Sequence, residues 1–226
     1  MAASETFKIL DAEVHHRDWA EGQQAITRLA GVYEGELPSE YNKYFPKESP
    51  KHIVNMIRLA WDDLATSIGR LPEFRGEPLN QSNKEEKKVS KLEHIAHAYL
   101  RNSKPSGKLL MWETAWWLLA SRAVMLVIPD HKTKMPRITV RDPKSAYPGV
   151  KELAGGQIIE LSDIIFKYEL DADVMQRMGL AVGTEEDSFG RTVTKKKGQV
   201  IEYIDDQQWL ICSDGGTVKQ IGRAHV

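Results

Sequence analysis

The residues whose types could do chemistry are few and scattered. His94 and His97 stand three apart in a stretch that reads as a helix, so both rings could face one metal ion. A tetrahedral site needs two further ligands, and nothing nearby supplies them; two separate, partly exposed histidines are the preferred reading. Asn55 and the pair Asp62-Asp63 are polar candidates on an earlier helix. Adjacent carboxylates on a helix point in different directions and make a poor acid–base dyad, so the pair reads as solvated helix-face charges. Cys212, the single cysteine, falls in an expected strand with no histidine that sequence can place beside it. It reads as a small buried hydrophobe rather than a nucleophile. Glu185-Glu186-Asp187 and Lys195-Lys196-Lys197 flank a polar stretch. That stretch reads as a solvated connection, since no aromatics interleave the basic run as they would in a nucleic-acid groove. There is no Walker loop, no GxGxxG after a strand and no GxSxG. No catalytic, cofactor-binding or metal-binding residue is assigned and no cofactor is expected. The weight moves from enzyme toward a structural or binding role.

The elements that would carry these residues are organised around residues 109–148, the most apolar part of the chain. A membrane span needs about 20 apolar residues. The run 109–128 is long enough, but Glu113 and Arg122 interrupt it, and a charge near a bilayer centre costs about 2.5–3.5 kcal/mol. A buried helix over 109–120, a strand over 123–128 stopped by Pro129, a polar loop over 131–134 and a strand over 137–140 fit better. Asp142-Pro143 and Tyr147-Pro148 read as turns. Trp112, Trp116 and Leu119, with the two short strands, are expected to fix a helical first half to a β-rich second half.

Upstream, residues 1–17 read as an arm. Asp18 with Glu21 suggests a cap before a short helix over 19–29. Residues 31–50 read as an aromatic loop carrying Tyr33, Tyr41, Tyr44 and Phe45. The first strong helix spans 51–68, with Ser49 as cap and Pro50 at its first position. Ile53, Ile57, Trp61, Leu64 and Ile68 share one face, and Gly69 is the expected stop. Ser82 and Glu85 form a capping box before a helix running to about residue 100, with Val89, Leu92, Ile95, Ala96 and Tyr99 on one side. Ser106 can cap the apolar helix. Downstream, 157–170 reads as a strand interrupted near 161–163, 171–178 as a short helix ending at Gly179, and 200–216 as a hairpin. Helices first and strands second predict an α+β fold rather than alternating α/β.

Composition bounds the function classes. The 226 residues are 41% hydrophobic and 28% charged, an ordinary globular balance able to build a core as one large domain or two small ones. A net charge of −1 offers no bulk electrostatic case for nucleic acid. One cysteine excludes an internal disulfide framework and suits a reducing compartment. The N-terminus lacks the basic-then-apolar order of a secretory signal.

The order of the pieces carries a resemblance. HIVNMIRLAWDDLATSIGRLP is followed by KEEKKVSKLEHIAHAYLRN, then WETAWWLLASRAVMLVIPD, MPRITVRDPKSAYPG and QVIEYIDDQQWLICSDGG. In this order and spacing, over about residues 50–216, the chain resembles the N-terminal part of tailed-bacteriophage portal proteins, especially those of phages infecting actinobacteria. The resemblance implies a portal wing-like α+β domain over 51–220; the arm and aromatic loop over 1–50 and the absence of a membrane segment are read from the residues themselves. It implies a subunit of a ring-shaped homododecamer at one capsid vertex, in the virion and, during assembly, the host cytoplasm. Double-stranded DNA passes through such a ring without sequence specificity, and terminase, capsid and head-completion proteins dock on it. It transfers no catalytic or binding residues. Members of that family are roughly twice this length, so the chain is expected to stop before the stem and clip. The last six residues, 221–226, match the translation of a common sequencing-library adapter and are expected to be non-native. Two rivals remain: another non-enzymatic α+β scaffold of a phage or bacterial assembly that oligomerises through the Trp-rich helix, and an enzyme whose Asp, Glu or His residues converge only in three dimensions.

Overall fold

The computed structural model describes residues 1–226 except 1–2, 18–19, 37–43, 45–54, 81, 104–106, 131–134, 155–156, 187, 189 and 223–226. Among the described residues are six α-helices and nine strands, a mixed α+β architecture. No described helix is long and apolar enough to cross a membrane. The chain divides into two compact units, residues 22–144 and residues 1–21 with 145–226. The segments 1–50, 51–220 and 221–226 follow motif order and do not coincide with this division.

The helical unit holds α2 (Ala20–Glu34), α3 (Met56–Ile68), α4 (Asn83–Asn102), α5 (Gly107–Leu119) and the ribbon β1 (Val124–Asp130) with β2 (Met135–Arg141). The helix expected over 19–29 runs on through Gly31, because Ile26, Ala30 and Tyr33 share one inward face; Ile26 and Ala30 are buried. It ends at Gly35, whose φ of +89° is the left-handed conformation a glycine allows at little cost. The cap of α3 is Asn55, whose side chain accepts from the Arg58 N–H at 3.0 Å. Ser49, Pro50 and Ile53 lie outside the described residues, as do Asp18, Tyr41, Phe45 and Ser106. Gly69 does stop α3, but with φ −74°. Its lack of a side chain serves close approach instead: a Cβ there would lie 2.7 Å from Trp112 Cα and 2.9 Å from the Met111 carbonyl oxygen.

The Ser82 hydroxyl accepts from the Glu85 N–H, as the capping box requires. Burial along the shared face of α3 is uneven. Trp61 and Ala65 are buried, whereas Ile57, Leu64 and Ile68 are 50%, 50% and 58% exposed. Leu92 on α4 is also exposed. Among the described residues the unit's core is Ile26, Trp61 and Ala120, with Tyr33, Trp116, Trp117 and Leu119 packed against it. The Trp-rich helix and both short strands therefore belong to the helical unit, β2 packing on α4 and α5. β1 continues past the expected stop, since Pro129 faces Pro136 in an antiparallel ribbon. Two prolines cannot exchange N–H bonds, so they occupy a non-hydrogen-bonded pair, where a missing N–H costs nothing to the ladder.

The joint between α5 and β1 carries backbone strain. Ser121 holds φ at +128°, a conformation L side chains avoid. Ser121→Gly is expected to raise the unfolding free energy by about 0.5–1 kcal/mol in chemical denaturation. No gain would mean that the joint stores no strain.

The sheet unit is built on five antiparallel strands in the order β3-β4-β7-β8-β9. These are β3 (Ala146–Ala154), β4 (Gln157–Asp171), β7 (Lys197–Asp205), β8 (Trp209–Ser213) and β9 (Val218–Gly222). Tyr147-Pro148, expected as a turn, lies within β3 opposite Ile165 and Ile164. β3 is an edge strand, where proline is tolerated. The expected interruption near 161–163 is a bulge: Gly149 pairs with Asp163 and Val150 with Leu161, leaving Ser162 over. The expected hairpin is β7–β8, and β9 adds a strand not anticipated. Ile221 and Gly222 end β9.

Both faces of the central strands are covered, so apolar side chains stand on each of them. On one face Val200 and Ile211 meet Met175 and Leu180 at and just beyond the short helix α6 (Ala172–Arg177), which closes at Gly179 as expected. On the other, Ile165 and Ile201 meet Val14, Phe7 and Leu10 of α1 (Ala3–His16). The expected arm is thus a docked helix. Its apolar residues, three and four apart, form one stripe. The polar stretch after α6 contains a small exposed hairpin, β5 (Thr184–Glu186) with β6 (Thr192–Thr194).

Candidate functional site

Among the described residues, the densest set of interacting charges lies in the sheet unit, where α1 meets the end of the ladder that joins β4 to β7. The register sets Asp163 directly opposite Asp205, a like-charge pair that would be unfavourable unpartnered. Each carboxylate has its own partners. Asp163 accepts from Arg17 Nη2 at 2.5 Å, and the two side chains are only 10% and 11% exposed. The same guanidinium donates to the Tyr147 carbonyl at 2.8 Å and to Glu13 at 3.1 Å. Lys167, on the same sheet face, donates to Asp11 of α1 at 2.5 Å.

Asp205 closes the β7–β8 turn by accepting from the Gln207 and Gln208 N–H groups at 2.8 and 2.6 Å. Burial raises its pKa, but these N–H donors, the Tyr203 hydroxyl and the Gln208 amide outweigh it and hold the carboxyl below its ordinary value. Burial, the hydrogen bond to Asp205 and the negative charges of Asp163 and Asp205 push the Tyr203 hydroxyl up to about 12. A raised pKa in the folded state means stability that is complete below the ordinary value of 10 and is lost as pH rises toward about 12. Between those limits wild type should lose about 1–2 kcal/mol more stability than Tyr203→Phe, measured by denaturant titration at each pH. Parallel losses would remove Tyr203 from the cluster's energetics.

Every carboxylate named in this cluster is engaged by a cation, a hydroxyl or backbone N–H groups, so its evident chemistry is attachment: it fixes α1 to the sheet. On the opposite sheet face buried Glu202 accepts from the Tyr168 hydroxyl. Sequence reasoning missed these groups, because Arg17 and Asp163 are 146 positions apart and share no local pattern.

The residues singled out by type are not brought together. Asn55 is a cap and also donates to the Tyr33 carbonyl at 2.6 Å. Asp62 is not merely solvated, since it accepts from the Tyr33 hydroxyl at 2.8 Å, while Asp63 is exposed. His94 Nδ1 meets the Ser90 carbonyl at 2.7 Å, and the His97 ring packs edge-on against Phe74 at 5.2 Å. Both line an open hollow of about 430 Å³ with Glu93, Ala98 and Arg101. Among the described residues no three His, Cys, Asp or Glu side chains converge to hold a metal. Cys212 is buried, and burial pushes its thiol up, which disfavours the nucleophilic thiolate. Lys195 reaches Asp214 at 3.4 Å, and Asp214 also accepts from the Gly183 N–H at 3.1 Å, so this charge pair anchors the β5–β6 hairpin. Half-burial raises the Glu113 carboxyl and lowers Arg122, the two charges within the apolar run. No family model matches the chain, and no curated protein matches it.

Proposed function

We propose that the chain is a structural subunit of a tailed-bacteriophage portal. It would stand in a ring-shaped homododecamer that passes double-stranded DNA and offers docking surfaces to terminase, capsid and head-completion proteins. The observation that carries the reading is the order of motifs from HIVNMIRLAWDDLATSIGRLP to QVIEYIDDQQWLICSDGG. A mixed α+β frame is compatible with it. The outer side of α3 supports an assembling protein more generally: Met56, Ile57, Leu59, Leu64 and Ile68 are each at least half exposed. Large apolar side chains grouped on a surface mark interaction sites. On this reading the protein performs no catalysis, and the Arg17 cluster holds the subunit together.

Electron microscopy of the full-length protein tests the proposal. Rings with a central channel are the expected result. A monodisperse monomer, or an open oligomer with no channel, would replace the portal reading with that of a different α+β scaffold.

A further inference from the structure

The β1–β2 ribbon has a property that follows from its two facing prolines. Pro129 and Pro136 form a non-hydrogen-bonded pair, and such pairs alternate with hydrogen-bonded ones along an antiparallel ladder. Met125↔Val140 and Val127↔Ile138 are therefore also non-hydrogen-bonded pairs. The N–H and C=O groups of Met125 and Val127 then point away from β2, along the outer edge of β1. Among the described residues no third strand takes that edge, whereas β2 is packed by α4 and α5. The side chains at the same two positions are 41% and 61% exposed. An isolated two-stranded ribbon is marginal in water, and an open apolar edge is a template for another strand.

We infer that β1 pairs antiparallel with β1 of a second copy, about a two-fold axis at Leu126. This register sets Met125 opposite Val127 of the second copy, and the reverse, so two hydrogen-bonded pairs form and four N–H···O=C bonds close. No register shifted by two does as well, because it brings Pro129, which lacks an N–H, opposite Met125, or residue 123 outside the strand opposite Val127. The exposed Met125 and Val127 side chains fall on one face and cover each other across the new ladder. Hydrogen bonding and apolar cover thus both favour a second copy as occupant. The contact is isologous and links two protomers only; it closes no ring, so it stands independently of the portal proposal.

Sedimentation analysis of the whole protein across a concentration series tests the pairing. Val127→Pro removes an outward N–H while sparing the β1–β2 ladder, because Val127 bonds nothing on β2. Met125→Lys/Val127→Lys leaves the backbone intact and places like charges across the axis. Wild type is expected to form a concentration-dependent dimer, at least tenfold weaker in Val127→Pro and absent in the double lysine variant, with unchanged circular dichroism. If Val127→Pro misfolds, the lysine variant decides. A wild type that is monomeric throughout, or association that both folded variants retain, overturns the pairing. Rings whose pairwise association is the same in wild type and in both variants overturn the pairing while leaving the portal reading standing, and a lone dimer abolished by the variants does the reverse.

Discussion

Trp61→Ala is expected to lower the free energy of unfolding by about 3–5 kcal/mol, the largest loss from a single truncation in the helical unit. The ring is 9% exposed and lies among Ile26, Ala120, Tyr33 and Trp116. Its centroid is 5.9 Å from Tyr33 and 5.6 Å from Trp116. Burying so large a side chain supplies most of the effect, and the cavity left behind adds to it. The polar end matters as well. Trp116 lies in the last turn of α5, whose final carbonyls have no partner within the helix. The Trp61 indole N–H donates to the Trp116 carbonyl at 3.2 Å and satisfies one of them. The Leu118 and Trp117 carbonyls accept from Ser121 and Ala120 at 3.1 and 3.0 Å. Trp61→Phe should therefore cost about 1–2 kcal/mol, keeping an aromatic ring but leaving that carbonyl unbonded. Trp116→Ala should cost less than Trp61→Ala, because Trp116 is only half-buried. Equilibrium denaturation followed by circular dichroism reads all three. A loss below about 1 kcal/mol for Trp61→Ala would show that this aromatic group does not hold the helices together.

The contrast between α3 and α1 shows where sequence reasoning reaches its limit. Features closed within a few residues were legible: the Ser82–Glu85 cap, the Gly179 stop and the β7–β8 hairpin are local hydrogen-bonding or turn patterns. Periodicity also marked α3 as amphipathic, yet it could not say which part of the apolar stripe is covered. Trp61 and Ala65 are buried, whereas Ile57 and Leu64 beside them remain half exposed. Coverage depends on where α5 and α2 lie, and no pattern within α3 encodes that. α1 failed the opposite test. Phe7, Leu10 and Val14 are a thin apolar stripe for an isolated helix, and most helical stability comes from packing on a partner. Here that partner begins more than a hundred residues later. Tyr147-Pro148 misled for a related reason: X-Pro marks a turn or an edge strand equally well, and only the position of β3 in the sheet decides. Of the candidate chemistry, the residue types were visible, but their partners were not. Asn55 and Asp62 are each occupied by a Tyr33 group that only the fold brings within reach, whereas His94 meets the Ser90 carbonyl one turn back in its own helix.

The attachment of α1 gives the second large effect: Asp163→Ala is expected to destabilise by about 3 kcal/mol. Two nearly buried charges at 2.5 Å attract strongly, but much of that gain offsets the water each gave up. The pair's net contribution is therefore modest, whereas deleting one member leaves the other charge stranded. Removing Asp163 leaves the Arg17 guanidinium with the Tyr147 carbonyl and Glu13, the latter about half exposed. Arg17→Ala should cost at least as much, since it leaves Asp163 opposite the Asp205 carboxylate with only the Ser162 hydroxyl as a donor at 2.6 Å. A double variant, Arg17→Met/Asp163→Leu, should recover most of the loss, because it strands neither charge. Hydrogen exchange supplies the structural readout. In Asp163→Ala the amides of α1 should lose protection before those of β4 and β7, since the sheet keeps its own ladders and its opposite-face core of Met175, Leu180, Val200 and Ile211. Loss of protection in all three elements together would mean that α1 is part of the sheet's cooperative core rather than a helix attached to it. Full additivity of the two single losses in Arg17→Ala/Asp163→Ala would mean that Arg17 and Asp163 act separately despite their contact.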